Sequence, residues 1–141
     1  MADKIPRKLR TRVSLRARGF CEYCFAPEDI IVSMQIDHVV PMAKGGETTF
    51  ENLCLACVPC NRTKSDTLYY RDPQSKTIVP LFNPRTDIGN EHFEWSEDLT
   101  LVVGLTPTGR ATVSKLKFNL PHICVARTYW LKAGWDPLQR E

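Results

Sequence analysis

Two pairs of cysteines, each with two residues between its members, constrain the fold of this 141-residue chain more than any other feature. Cys21 and Cys24 form the first pair, and Cys57 and Cys60 form the second. A CxxC turn offers two thiolate ligands from one backbone bend, so two such turns complete the tetrahedral shell that structural zinc prefers. The pairs therefore predict one zinc ion that closes a large loop of the chain.

Other roles for the cysteines are less consistent with the sequence. The first residues lack the apolar stretch of a secretory signal, so we expect a cytoplasmic protein, in which CxxC pairs bind metal more often than they form disulfides. A redox-active pair would open a helix in a thioredoxin-like pattern, which the sequence does not show. Cys54 forms a rival CxxC pair with Cys57, which the sequence does not exclude, although Cys54 and Cys124 are more simply core residues.

Positive charge is concentrated in residues 1–20, which carry a net charge of +6 against +3 for the whole chain. Within this segment Ile5, Leu9, Val13 and Ala17 recur at the spacing of one helical face, and the arginines lie mostly off that face. A basic amphipathic helix suggests a polyanionic partner. The alternative is a solvated basic face on a helix that only packs against the rest of the domain.

The segment between and after the cysteine pairs predicts a strand, a loop, a second strand and a helix. The strands are expected over residues 32–40 and 53–56, and the helix from Asn61 to about residue 70. Pro41 and the pair Gly45-Gly46 end the first strand in a loop.

The remaining chain predicts a loop over 71–92 and a hairpin from 93–95 and 99–105. Helices are expected over 109–117, capped by Thr108, and from Pro121 to Gly134. The predicted fold is α+β. It comprises a basic N-terminal helix at 1–20, a metal-binding core at 21–72 and a C-terminal extension at 73–141 packed on that core.

Asp37, His38 and Asn61 are candidates for a second metal site that performs chemistry. The carboxylate of Asp37 and the amide oxygen of Asn61 are ligands that suit a hard divalent cation such as Mg²⁺. A neutral imidazole at His38 is suited to taking a proton from a water that attacks a phosphate, while the cation offsets the charge that develops. Adjacent residues of a strand point to opposite faces, so Asp37 and His38 reach one site only where the strand bends or ends.

The sequence resembles the HNH endonuclease family, and the zinc-bearing subtype matches best. Four runs carry the resemblance: Asp37-His38-Val39-Val40-Pro41, Gly45-Gly46, Glu51-Asn52-Leu53 and Cys57-Val58-Pro59-Cys60-Asn61-Arg62-Thr63-Lys64. The resemblance covers about residues 20–68. It implies a ββα-metal finger that cuts phosphodiester bonds with one divalent ion.

The resemblance also implies roles for single residues. His38 is expected to be the general base, Asp37 a ligand of the catalytic cation, and Asn52 the residue that orients the loop and the histidine. Asn61 stands where the last histidine of the family name would be, as in the nuclease domain of RNA-guided CRISPR effectors, and is expected to be a metal ligand. Asparagine at this position favours Mg²⁺ or Mn²⁺ over softer metals.

The predicted function is therefore a hydrolase, a metal-dependent endonuclease that acts on double-stranded DNA. A zinc-clipped nucleic-acid-binding module without catalysis and an RNA-cleaving nuclease are the alternatives. The predicted nucleic-acid ligands are the basic residues of the two helices: Arg7, Lys8, Arg10, Arg12, Arg16, Arg18, Arg62 and Lys64. No apolar run reaches the length that crosses a membrane, so no membrane partner is expected. The sequence leaves a monomer and a homodimer equally open.

Overall fold

The computed structural model describes residues 5–28 and 33–139, and the described residues combine helices with two-stranded antiparallel sheets. This mixture confirms the predicted α+β class. The chain divides into two compact units. In the described ranges no helix combines the length and apolar character that crossing a bilayer requires.

The first unit comprises Met1–Asp66 and Asn83–Arg85, and it begins with the basic helix α1, Arg7–Ala17. Pro6 precedes the first turn, and Arg18, at φ +57°, ends the helix in the left-handed region. The predicted apolar face is confirmed. Its buried residues pack with two residues of the second strand, forming the core Val13, Ala17, Leu53 and Leu55, with Ile5 and Leu9 against it.

A hairpin and a helix follow, in the predicted order. Strand β1, Met34–His38, pairs antiparallel with β2, Leu53–Cys57, and helix α2, Val58–Lys64, comes directly after β2. The register places Asp37 opposite Cys54 and His38 opposite Leu53. The predicted first strand began at Val32, which lies outside the described residues.

Helix α2 is shorter than predicted and begins three residues earlier. Proline in the first turn favours a helix start, and Pro59 occupies such a position in α2. Ser65, at φ +52°, ends the helix after Lys64. The predicted continuation to residue 70 is wrong, because Tyr69–Arg71 forms strand β3, consistent with the preference of aromatic residues for strands.

The loop between β1 and β2 contains two short 3₁₀ turns, Met42–Lys44 and Phe50–Asn52. Gly46 lies against the end of the first strand, and a Cβ atom there would be 1.7 Å from the carbonyl oxygen of Val40. Only glycine fits at this position, so the loop can fold back on the residues that follow His38.

The second unit comprises Thr67–Phe82 and Thr86–Glu141. Its elements after β3 are β4 Ile78–Pro80, α3 Gly89–His92, β5 Phe93–Trp95, β6 Val102–Gly104, α4 Pro107–Lys115 and α5 Pro121–Lys132. The predicted hairpin is confirmed as β5 and β6, and the last helix is confirmed as α5.

Two expectations for this unit are wrong. Strand β4 and the short helix α3 lie in the stretch predicted as loop, where β4 pairs with β3. Helix α4 begins two residues before the predicted start, because the cap is Thr106 rather than Thr108. The Thr106 hydroxyl accepts a hydrogen bond from the Gly109 amide at 3.0 Å.

Candidate active site

The four cysteines of the two CxxC pairs meet at one place. Their Sγ atoms all lie within 4.8 Å of one another, all four residues are buried, and none is in a disulfide. A tetrahedral zinc site with Zn–S bonds of about 2.3 Å has sulfur–sulfur distances of about 3.8 Å. The sulfurs of Cys24 and Cys57 are 3.7 Å apart. The cluster is therefore compatible with a structural zinc ion.

Cys54 stands apart from this cluster, which resolves the alternative that the sequence left open. The Cys54 thiol points to the carboxylate of Asp37, with its Sγ 3.9 Å from Oδ2. Burial raises the pKa of this thiol well above its usual value, so Cys54 stays protonated. The clustering of the four predicted cysteines, Cys21, Cys24, Cys57 and Cys60, is confirmed.

The electrostatics of the cluster also fit a cation. Burial opposes ionisation of Cys21, but hydrogen bonds from the other three thiols bring its pKa well below the usual range. The pKa of Cys60 is instead raised well above that range, chiefly by its hydrogen bond with Cys21. The pKa of Cys57 is raised as well, first by its hydrogen bond with Cys21, and zinc binding requires its cysteine ligands as thiolates.

Local backbone geometry forms both cysteine turns. In the first, the amide of Phe25 donates to the Cys21 carbonyl at 2.8 Å, and Phe25 adopts φ +65°. In the second, Cys57 caps α2 and Cys60 lies in its first turn. The first turn is also tied to β2. The backbone of Glu22 bonds that of Leu55, its carboxylate accepts the Leu55 amide at 2.8 Å, and it pairs with Arg85.

Asp37 is buried and held by two side chains. The Tyr23 hydroxyl, from the first cysteine turn, donates to Oδ2 at 2.7 Å, and the Lys64 ammonium lies 3.0 Å from the same oxygen. Burial raises the pKa of Asp37 above its usual value, and Lys64 and Tyr23 offset part of that shift. The carboxylate is thus held by a hydroxyl and an ammonium on the same oxygen.

This arrangement corrects the prediction for Lys64. It was expected to contact nucleic-acid phosphate, but its side chain is only 2% exposed. Besides the ion pair with Asp37, its ammonium lies 3.3 Å from the carbonyl oxygen of His38 and donates to it. An ammonium buried inside the domain and engaged in this way does not reach a bound duplex.

Asn61 and Asp37 lie on the same side of the hairpin. Gln35 and Asp37 are two residues apart in β1 and share one face of the strand. Helix α2 lies on that face, because Asn61 Nδ2 donates to Gln35 Oε1 at 2.5 Å and Lys64 pairs with Asp37. The structure gives no direct hydrogen bond between Asn61 and Asp37 in the described chain.

His38 is the last residue of β1, and its half-buried imidazole lies toward the loop. Its Nε2 atom is 2.9 Å from the Thr48 hydroxyl oxygen. In the part of the chain that is described, the imidazole makes no hydrogen bond with Asp37 or Asn61. The strand therefore presents Asp37 to α2 and His38 to the loop, as alternation along a strand requires.

Asn52 makes hydrogen bonds to the backbone at two places in that loop. Its Oδ1 accepts the Val40 amide at 3.0 Å, and its Nδ2 donates to the carbonyls of Val40 at 3.0 Å and Glu47 at 2.9 Å. The Asn52 carbonyl also accepts the Val39 amide at 2.9 Å. Asn52 thus fixes the two residues after His38, Val39 through its backbone and Val40 through its side chain, and its bond to Glu47 closes the loop that carries Thr48.

Arg16 differs from the other basic residues of α1. Its guanidinium donates to the Phe50 carbonyl at 2.7 Å and to the Leu53 carbonyl, and like that of Arg12 it stacks on the Phe50 ring, at 3.8 Å from the ring centre. These contacts correct its predicted role as a phosphate ligand. Arg16 instead ties α1 to the segment that carries Asn52. The predicted phosphate ligands that remain exposed are Arg7, Lys8, Arg10 and Arg12 of α1, Arg18 directly after it, and Arg62 of α2.

Replacing Arg16 with methionine is expected to lower the free energy of unfolding by about 2 kcal/mol, because two charge-assisted hydrogen bonds to carbonyls are lost. Urea denaturation of the zinc-loaded protein measures the change. Arg10→Met is the matched control on the same helix, and it should stay within about 0.5 kcal/mol of the wild type, as exposed substitutions do. Equal midpoints for the two variants would contradict the structural role of Arg16.

Several contacts of the site were not anticipated from sequence. The place of Gln35 could have been inferred from the sequence, because it lies two residues before Asp37 on a predicted strand. The place of Lys64 could have been inferred too, since it follows Asn61 by three residues and so shares its helix face. Those of Tyr23 and Thr48 could not, because only the folded loops bring them to Asp37 and His38.

Comparison with known proteins agrees with this geometry. The HNH endonuclease family model matches residues 21–67, a segment that includes both cysteine pairs, the hairpin and α2. Neither a curated protein nor a solved structure shows significant similarity to the chain. Residues 21–67 are an HNH endonuclease domain with a buried four-cysteine cluster.

Proposed function

We propose that this protein is a metal-dependent endonuclease that hydrolyses phosphodiester bonds in double-stranded DNA. One observation carries the proposal. Inside the segment that matches the HNH endonuclease family, β1 ends in Asp37-His38, and α2 lies on the face that presents Asp37. Asp37 faces α2 and His38 faces the loop, and because β1 ends at His38 the two side chains can serve one cation and one general base at the strand end.

Asp37 and Asn61 would hold the catalytic cation, Mg²⁺ or Mn²⁺. Both offer oxygen, which these hard cations prefer. The side-chain nitrogen of Asn61 donates a hydrogen bond to Gln35, so the side-chain oxygen of Asn61 would be the ligand atom. When bound, the cation supplies a Lewis acid that offsets negative charge on the phosphate and the leaving oxygen.

His38 would take the proton from the attacking water. The Thr48 hydroxyl donates to Met42 Sδ at 3.8 Å, so it is placed to accept a hydrogen from Nε2 of His38. In that tautomer Nδ1 carries the lone pair, and we assign it as the accepting atom. Asn52 supports this role by fixing the backbone that follows His38.

The four cysteines would hold zinc in a structural role, and α1 would supply sequence-independent attraction to DNA. Five exposed basic residues face solvent: Arg7, Lys8, Arg10 and Arg12 of α1, and Arg18 directly after it. If all five contact phosphates, the slope of log affinity against log salt concentration should be about −4.5. Binding of a short duplex across a salt series measures the slope. A slope near zero would contradict a DNA-binding role for α1.

Cleavage of a supercoiled plasmid tests the function. Wild-type protein with added Mg²⁺ or Mn²⁺ should produce nicked or linear DNA, and His38→Ala should not, which excludes a contaminating nuclease. Binding without cleavage in either metal would favour the catalytically inactive binding module. Cleavage restricted to structured RNA in a parallel reaction would favour the RNA-cleaving alternative.

A further inference from the structure

Lys64 is a buried cation at the place where the proposed function requires a metal. Lysine is rarely buried without a partner, because its charge loses solvation. Here the ammonium lies between Oδ2 of Asp37 at 3.0 Å and the carbonyl oxygen of His38 at 3.3 Å. It therefore contacts both residues of the Asp-His pair, one through its side chain and the other through its backbone.

The contacts of Asp37 are one-sided. The Tyr23 hydroxyl, the Lys64 ammonium and the Cys54 thiol all approach Oδ2. Within the described residues, no hydrogen bond or ion pair is made to Oδ1. Tyr23, Lys64 and Cys54 thus contact Oδ2 of Asp37 and leave Oδ1 available to a metal ion.

We propose that Lys64 is a positioning residue that acts as a tethered cation on Asp37. It holds Oδ2, so that Oδ1 is the oxygen offered to the catalytic metal, and its positive charge limits how tightly that metal binds. This inference rests on the proposed function, in which Asp37 is a ligand of the catalytic cation.

Electrostatics gives the sign of the effect. A divalent cation on Oδ1 shares one carboxylate with an ammonium, and two cations close together in a poorly solvated site repel each other. Neutralising Lys64 should therefore tighten metal binding. A lysine with only a packing role would have the opposite effect, because its loss would disorder Asp37 and weaken binding.

Mn²⁺ titration of the full-length, zinc-loaded protein tests the inference, with free Mn²⁺ followed by electron paramagnetic resonance at pH 8. Lys64→Met removes the charge and the donor. Lys64→Gln removes the charge but keeps a donor for Asp37 and the His38 carbonyl, so it guards against a variant that fails to fold. Lys44→Met is the matched control, since it removes one exposed positive charge from the loop between β1 and β2. Asp37→Asn tests the ligand itself.

We expect both Lys64 variants to bind Mn²⁺ at least tenfold more tightly than wild type, a difference of about 1.4 kcal/mol. Lys44→Met should match wild type, and Asp37→Asn should abolish binding. Folded Lys64 variants with unchanged or weaker Mn²⁺ affinity would overturn the inference alone. Undiminished binding by Asp37→Asn would overturn the proposed metal site, and the inference with it.

The wild type provides a readout that needs no substitution. With ¹⁵N-labelled lysine, Mg²⁺ should shift the Nζ resonance of Lys64 and leave that of Lys44 in place. A Lys64 resonance that does not respond at saturating Mg²⁺ would contradict an ammonium that shares Asp37 with the metal.

Discussion

Replacing Cys57 with serine is expected to release the zinc and unfold the first unit at ordinary temperature. Structural zinc contributes about 10–16 kcal/mol of apparent binding free energy in small domains, and whole domains are stable by only about 5–15 kcal/mol. The cluster also joins two distant segments, because Cys57 lies between β2 and α2 and its sulfur lies 3.7 Å from that of Cys24. Metal analysis by mass spectrometry and circular dichroism measure the two effects.

Two other cysteines serve as controls for this experiment. Cys124 lies in α5 and Cys54 lies beside Asp37, both outside the cluster. Cys124→Ser and Cys54→Ala should each retain about one zinc per chain. A Cys57→Ser protein that keeps its zinc and unfolds at the same temperature as the wild type would refute the four-cysteine site.

Replacing His38 with alanine is expected to lower the rate of DNA cleavage by about 10²- to 10⁴-fold, the usual contribution of a general base. Zinc content and DNA affinity should stay at wild-type values, because the imidazole contacts only Thr48 among the described hydrogen bonds and lies outside the cysteine cluster. Single-turnover cleavage of a labelled duplex at saturating Mn²⁺ measures the rate free of binding effects.

His122→Ala is the matched control for this variant. His122 is an exposed histidine in α5, so its loss removes an imidazole without touching the candidate site. Its cleavage rate should equal that of wild type. If His38→Ala cleaves within tenfold of wild type while His122→Ala is unchanged, another group is the base.

Sequence reasoning succeeded where the signal is local. The cysteine spacing defines ligand pairs within single turns, so the cluster of Cys21, Cys24, Cys57 and Cys60 followed from composition and spacing alone. The apolar stripe of α1 and the order of β1, β2 and α2 followed from periodicity. Each cysteine pair and each of these elements depends on neighbours within a few residues.

The features that depend on tertiary contacts were not predictable from the sequence. The sequence predicts phosphate contacts for Arg16 and Lys64 because exposed cations commonly bind phosphate, but both side chains are held by backbone carbonyls or a carboxylate distant in sequence. A long cationic side chain can bury its stem and its charge when partners exist, and no local pattern reports those partners. The prediction of a loop over 71–92 is wrong for a related reason, since β4 forms through pairing with β3.

The two residues between Cys21 and Cys24 have a consequence for protein engineering. Glu22 bonds β2 and Arg85, and Tyr23 bonds Asp37. The turn is therefore not an interchangeable module. A CxxC turn grafted from another zinc protein would restore the ligands but not these contacts, and the recipient would be a folded, metal-loaded protein whose Asp37 has lost a donor. Zinc content alone would not reveal that damage.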